Sequence, residues 1–154
     1  MQIKVPRSKF FAEGELKVAG IVICLNKNDQ FLIIRRANID DRVGQWTIPG
    51  GHIDEEDESI EEGAIRELQE ETGLNCTIGD LQFLDEPKPQ KYYFWTSKWV
   101  GSLDIGIPNP KTGEVEHDDY RWATILDIKE IANTEIPIYL LEKVLEISKN
   151  ETNS

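Results

Sequence analysis

Apolar residues along this chain fall into short blocks with two different periods. Residues 16–25 (LKVAGIVICL) form an almost continuous apolar run of strand length, and residues 30–36 (QFLIIRR) form a second. The turn cluster Asn26-Lys27-Asn28-Asp29 separates them, so the pair reads as a hairpin. A polar loop over 37–43 leads to a short strand at 45–48, which Pro49 ends. From Ser59 the period changes: Ile60, Ala64 and Leu68 recur every fourth residue, the stripe of an amphipathic helix. Ser59-x-x-Glu62 is a capping box for its start, and Gly73 stands where a left-handed residue stops a helix. Strands at 76–84 and 91–100 flank a turn at Pro87-Lys88-Pro89, and residues 101–114, rich in Gly, Pro, Asn and Asp, make a long surface loop. A last strand at 120–125 precedes a short helix at 127–132 and a longer one at 138–148, with Pro137 near its first turn. Strands mixed with two or three helices predict an α+β fold, or a three-layer α/β/α sandwich with a mixed sheet flanked by helices.

The 154 residues suit one domain over 1–154, with 1–15 as an N-terminal extension and 149–154 frayed. Cys24 and Cys76 lie in apolar runs without zinc-ligand spacing, as reduced, buried residues of a cytoplasmic protein would. Gln2–Phe11 is mixed and charged, unlike a signal peptide, and no apolar run reaches membrane-spanning length. The net charge of -12 argues against non-specific coating of nucleic acid, which needs a basic face. It leaves room for a small anionic ligand that arrives complexed with a cation.

The chemistry concentrates in the helix. Glu67, Glu70 and Glu71 fall within an arc of roughly 100° on it, beside the apolar stripe. Acidic helix runs usually mark a solvated face. Three repelling carboxylates at the edge of a core are also what a hard divalent cation requires.

The order of residues around them resembles the Nudix hydrolase signature, G-x5-E-x7-R-E-U-x-E-E-x-G-U with U aliphatic. Its second half matches throughout, from Arg66-Glu67-Leu68 to Gly73-Leu74. In the first half, six residues separate Gly51 from Glu58; aligning Asp57 instead corrects that spacing but lengthens the next one and changes the acid. Glu58 with a one-residue loop insertion is the preferred alignment, because loops absorb length changes.

The resemblance, which runs from about Leu16 to about Leu145, implies a mixed sheet sandwiched between helices. It also implies magnesium-dependent hydrolysis of a nucleoside diphosphate derivative, with manganese as an alternative ion. Carried over by position, Glu67, Glu70 and Glu71 are metal ligands, and the Gly50 carbonyl adds a backbone ligand. Glu70 doubles as a catalytic group, and Arg66 orients the carboxylates. The acidic run Glu114–Asp119 holds the place of a general base, for which Glu116, counted back from Trp122, fits best; an acidic turn without a role is the competing reading. His117 reads as a surface loop histidine that could titrate near neutrality. Arg35 and Arg36 are candidate phosphate-binding residues, and strand alternation allows only one of them to face the site. Of Tyr92, Tyr93, Phe94, Trp95 and Trp99, at most one is expected to reach a ligand. Nucleoside triphosphates, oxidised forms included, are the leading substrates. ADP-ribose or a nucleotide sugar comes next, on the weak hint that Pro89 stands where ADP-ribose-cleaving members place a proline. A catalytically silent nucleotide-binding module is the third reading. Homodimerisation is common in the family, and nothing in the sequence decides it.

Overall fold

The computed structural model describes residues 2–3, 17–37 and 42–152. The expected N-terminal extension lies almost wholly outside them. Strands β1 (Ala19–Cys24), β2 (Phe31–Arg36), β3 (Trp46–Thr47) and β4 (Gly50–His52) precede helix α1 (Ile60–Thr72). Strands β5 (Gln82–Lys88), β6 (Lys91–Thr96) and β7 (His117–Ala123) follow, and helices α2 (Ile125–Lys129) and α3 (Ile138–Thr152) end the described chain.

The strands form two sheets, ordered β4-β1-β6-β5 and β3-β2-β7. Among the described strands only β1 and β6 run parallel; the other strand pairs are antiparallel, so the first sheet is mixed. The expected β1–β2 hairpin is therefore a turn between two sheets. Beyond the isolated bridge Leu25–Phe31 the strands separate, and each finds other partners.

Alternation along the buried strands builds two core layers. Ile21, Ile23, Phe31 and Ile33 pack with Leu140, Leu141 and Val144 of α3. Val22, Cys24 and Leu32 pack with Ile60, Ala64 and Leu68 of α1. The result is the expected helix–sheet–helix arrangement, with both cysteines free and buried. Gly20 lets α1 approach: a Cβ there would lie 2.8 Å from Ala64 Cβ. Gly20→Ala is expected to cost about 1–3 kcal/mol of overpacking in urea denaturation; wild-type stability would mean that the helix can simply move away.

Several boundaries differ from the expected ones. The strand expected at 76–84 is replaced by a 3-10 turn (Ile78–Asp80), and β5 begins at Gln82 and runs through Pro87. β5 is an edge strand, where a missing amide donor is tolerated. The turn accordingly falls at Pro89-Gln90, with Gln90 at φ 68. The last strand starts three residues early, at His117, because β2 is long enough to pair back to it. α3 continues to Thr152 instead of fraying after Ser148.

Candidate active site

Helix α1 starts and stops as its sequence requires. Ser59 Oγ accepts from the Glu62 amide at 3.1 Å, and Gly73 closes the helix at φ 77. The reciprocal half of the expected capping box shifts by one residue, since the Glu62 carboxylate accepts from the Glu58 amide at 3.3 Å. Gln2 and Ile3 reach this end too: the Ile3 amide donates to the Glu61 carboxylate at 2.9 Å, and the Ile60 amide donates to the Ile3 carbonyl.

Arg66 organises the acidic face. Its Nε and Nη2 each donate to Asp57 at 3.0 Å, a bidentate pair. Nη1 donates to Glu70 at 3.1 Å and Glu67 at 3.2 Å, and Nη2 also reaches the His52 carbonyl at 3.1 Å. The Asp57 side chain is 8% exposed, whereas Glu58 is exposed. The acid opposite Arg66 is thus Asp57, not the preferred Glu58. A tight turn explains it: the Asp57 amide bonds to the Asp54 carbonyl and the Asp54 amide to Asp57 Oδ2 at 2.8 Å, turning Asp57 inward. Burial works against the Arg66 charge, but Asp57, Glu67 and Glu70 outweigh it and raise its pKa further.

Glu67, Glu70 and Glu71 share a narrow pocket with Glu116, His117, Asn109 and two isoleucines of the long loop, Ile105 and Ile107. The Gly50 amide donates to Glu71 Oε1 at 2.7 Å, and Glu71 Oε2 lies 3.7 Å from His117 Nε2. Gly51 makes room for Glu67, because a Cβ there would sit 2.5 Å from its carboxylate. Glu116 is held by the Asn109 amide group. Asn109 in turn ties its own loop, its side-chain oxygen accepting from the Lys111 amide at 2.8 Å. Asn109, Ile105 and Ile107 were absent from the sequence reading; the Asn-Pro-Lys-Thr-Gly turn chemistry at 109–113 was the only local signal.

The electrostatics are strained. Burial, with the charges of Glu70 and Glu116, pushes Glu67 up to about 7 against the pull of Arg66. Burial and the Glu67 charge hold Glu71 well above the usual carboxylate range despite its bond from Gly50. Among the described residues no three acidic, histidine or cysteine side chains converge as a ready-made cation cage: Glu67 and Glu70 turn to Arg66, and Glu71 turns to Gly50. The donor set nevertheless fits a hard divalent ion, consisting of carboxylates whose mutual repulsion a cation would relieve.

Two further expectations meet the structure here. Alternation on β2 does separate the arginines. Arg35 binds Asp118 at 2.8 Å and covers the Trp46 ring, while Arg36 acts electrostatically on Glu71 and His117. His117 is no surface residue. It is 2% exposed at the start of β7, its Nε2 lacks a hydrogen-bond partner, and burial with the Arg36 charge lowers its pKa to about 4. A base depressed in this way stabilises the fold above its unfolded pKa of about 6.5, and loses that contribution as pH falls towards 4. The stability difference between wild type and His117→Gln is therefore expected to narrow or reverse in favour of glutamine between pH 7 and pH 4.5. Parallel pH curves from urea titrations would show that His117 is not buried in the neutral form.

Residues 15–143 match the NUDIX domain. The chain is 28% identical over 118 residues to the asymmetrical bis(5'-nucleosyl)-tetraphosphatase of Rattus norvegicus, covering 71% of this chain and 74% of that protein. With an 8-oxo-dGTP diphosphatase of Proteus vulgaris it shares 33% identity over 94 residues, 58% of this chain and 82% of that protein. Other relatives are longer, and the match spans about a third of their length. A MutT protein from Methanosarcina mazei has the same fold, with a TM-score of 0.60 at 23% identity over 88% of this chain and 94% of that one. Among the described residues no helix is long and apolar enough to cross a membrane. With the domain match spanning both sheets and the acidic pocket, the chain belongs to the Nudix family, whose hydrolases act on pyrophosphate bonds of nucleotide derivatives and generally depend on a divalent metal.

Proposed function

We propose that this protein is a magnesium-dependent pyrophosphohydrolase of nucleoside triphosphates, oxidised ones included, with manganese able to replace magnesium. The observation that carries this reading is the gathering of Glu67, Glu70, Glu71 and Glu116 in one narrow pocket, with Glu67 and Glu71 held above the usual carboxylate range. Glu67, Glu70 and Glu71, with the Gly50 carbonyl, would hold the ion. When bound, magnesium neutralises phosphate oxygens and makes water a stronger acid.

The protein's own groups do the rest. Arg66 sets the orientation of Glu67 and Glu70 through the bonds that Asp57 anchors. Glu116, fixed by Asn109, takes the proton of the attacking water. Arg36, on the face of β2 towards Glu71, receives a substrate phosphate, and Arg35 is committed to Asp118. Pro89 stands in the turn that joins β5 to β6, where the notion of an ADP-ribose substrate rests on its position in the sequence alone. The named relatives act on 8-oxo-dGTP and on dinucleoside tetraphosphates, both of which carry the anhydride that this site would cleave. Two free, buried cysteines suit a reducing, cytoplasmic setting.

The test is a panel of canonical and oxidised nucleoside triphosphates, ADP-ribose and nucleotide sugars, incubated with magnesium and resolved by chromatography. Nucleoside monophosphate and pyrophosphate from triphosphates is the expected outcome. Exclusive turnover of ADP-ribose would replace the substrate assignment. Full activity in Glu70→Gln would overturn the roles given to the carboxylates.

A further inference from the structure

A larger cavity of about 500 Å³ lies on the other face of β1 from helix α1. Thr47 and Ile48, which lead into Gly50, form part of its wall, and so does Ile21, the β1 partner of Gly50. Its charge is opposite to that of the molecule. Arg42, Lys88 and Lys91 line it against the single acid Glu135, three positive groups and one negative, a formal +2 in a chain of net charge -12.

Two of those cations sit where a sheet alone would not place them. Lys88 and Lys91 are directly opposite each other in the β5–β6 pair, closing the hairpin. Like charges so paired destabilise an antiparallel ladder. Neither has an acidic partner within ion-pair distance among the described residues; Lys91 lies over the Tyr93 ring instead, 5.7 Å from its centroid. The neighbouring acids are engaged elsewhere, Asp85 with Lys143 at 3.7 Å and Glu86 with the Gln90 amide at 2.7 Å. Trp46, Tyr93 and the exposed Tyr139 add flat surfaces to the same cavity.

Sheet register gives the separation. Gly50, Ile21 and Tyr93 lie side by side on β4, β1 and β6, and Lys91 is two residues from Tyr93. Strand spacing and rise put Lys91 roughly 12 Å from Gly50. That backbone separation suits a second phosphoryl group, distinct from one held at the acidic pocket.

We infer that Lys88 and Lys91 form a second anion subsite, which selects nucleotides carrying a phosphate remote from the scissile anhydride. The inference rests on the hydrolase reading above for which bond is cleaved. The remote phosphate can be a phosphomonoester on the sugar, which is dianionic near neutral pH, or a far phosphate of a chain joining two nucleosides, which carries one charge; both offer anionic non-bridging oxygens to the lysines.

The experiment compares wild type with Lys88→Gln/Lys91→Gln, full chain, checked for folding by circular dichroism. Kinetics are measured with ATP, with 3'-phosphorylated ATP and with diadenosine tetraphosphate at low ionic strength, where exposed charges count most. The double variant is expected to raise KM about tenfold for at least one of the two phosphate-bearing substrates, with kcat retained and the ATP KM moving less than twofold. The substrate that responds identifies the source of the phosphate. Equal changes for all three substrates, or none, overturn the subsite.

A second arm reads binding without turnover. In a Glu70→Gln background, tryptophan fluorescence follows adenosine 3',5'-bisphosphate and diadenosine tetraphosphate against AMP. A preference for either that depends on the two lysines supports the subsite even if no triphosphate is hydrolysed, in which case the hydrolase reading alone fails. Equal affinities with and without the lysines sink the subsite even where hydrolysis is rapid.

Discussion

The Glu67→Gln protein is expected to lose turnover by about a thousandfold and yet to unfold at a higher temperature than wild type when magnesium is chelated. On the proposed reading, the change would remove one ligand of an ion that supplies several kcal/mol of charge stabilisation, each ~1.4 kcal/mol being a factor of ten in rate. The gain in stability follows from burial. Glu67 is pushed up to about 7, mainly because its carboxylate is buried near Glu70 and Glu116. An acid raised in this way contributes stability that is full below its unfolded pKa and lost as pH rises through the folded one. Relative to wild type, the glutamine protein should gain progressively from pH 5 to pH 8, reaching on the order of 2 kcal/mol. Magnesium should reverse the order at pH 8 by stabilising wild type alone, with an affinity that falls as pH drops below 7 because proton and ion compete for the same oxygens. Calorimetry across pH, with and without chelator, checks both signs. A glutamine variant less stable than wild type in chelator at pH 8 would show that the carboxylate is satisfied without a cation.

Arg66→Ala carries the largest expected cost to the fold, about 3 kcal/mol. The guanidinium makes a bidentate pair with Asp57, whose side chain is 8% exposed, and it also bonds to Glu67 and Glu70. Truncation removes the bidentate partner of a buried carboxylate and the cation shared by two glutamates. For a domain of this size the melting temperature should fall by roughly 6–12 °C. Arg66→Lys keeps the charge but cannot make the bidentate pair, so it should fall in between. The decisive comparison is the double variant Asp57→Ala/Arg66→Ala, expected to be clearly more stable than the sum of the single changes predicts. Strict additivity would mean that the pair contributes nothing as a pair.

Most of the chemistry was legible because it is local. Helical spacing alone brought Glu67, Glu70 and Glu71 together, Ser59 and Gly73 marked the helix ends, and strand alternation foretold that Arg35 and Arg36 part company. What was hidden depends on distant partners. A turn cluster such as Asn26–Asp29 signals reversal but not whether both strands stay in one sheet, so β1 and β2 looked like a hairpin. Asp57 displaced Glu58 because hydrogen bonds within the 54–57 turn decide which acid points inward, and spacing cannot see them. His117 looked exposed because its burial comes from pairing with Arg36, far away in sequence. Glu116 shares the pocket of the helix glutamates, and the asparagine that holds it there lies in a loop without periodicity, so its setting could not be read from spacing.

Strand β1 presents two surfaces with separate obligations. Val22 and Cys24 brace the helix that carries the glutamates, while Ile21 faces the basic cavity beside Tyr93. If the basic cavity selects the nucleotide as proposed, substitutions on the second surface would change selection without disturbing the helix that carries the glutamates. A single strand thus lets one of its faces be varied while the other keeps its packing.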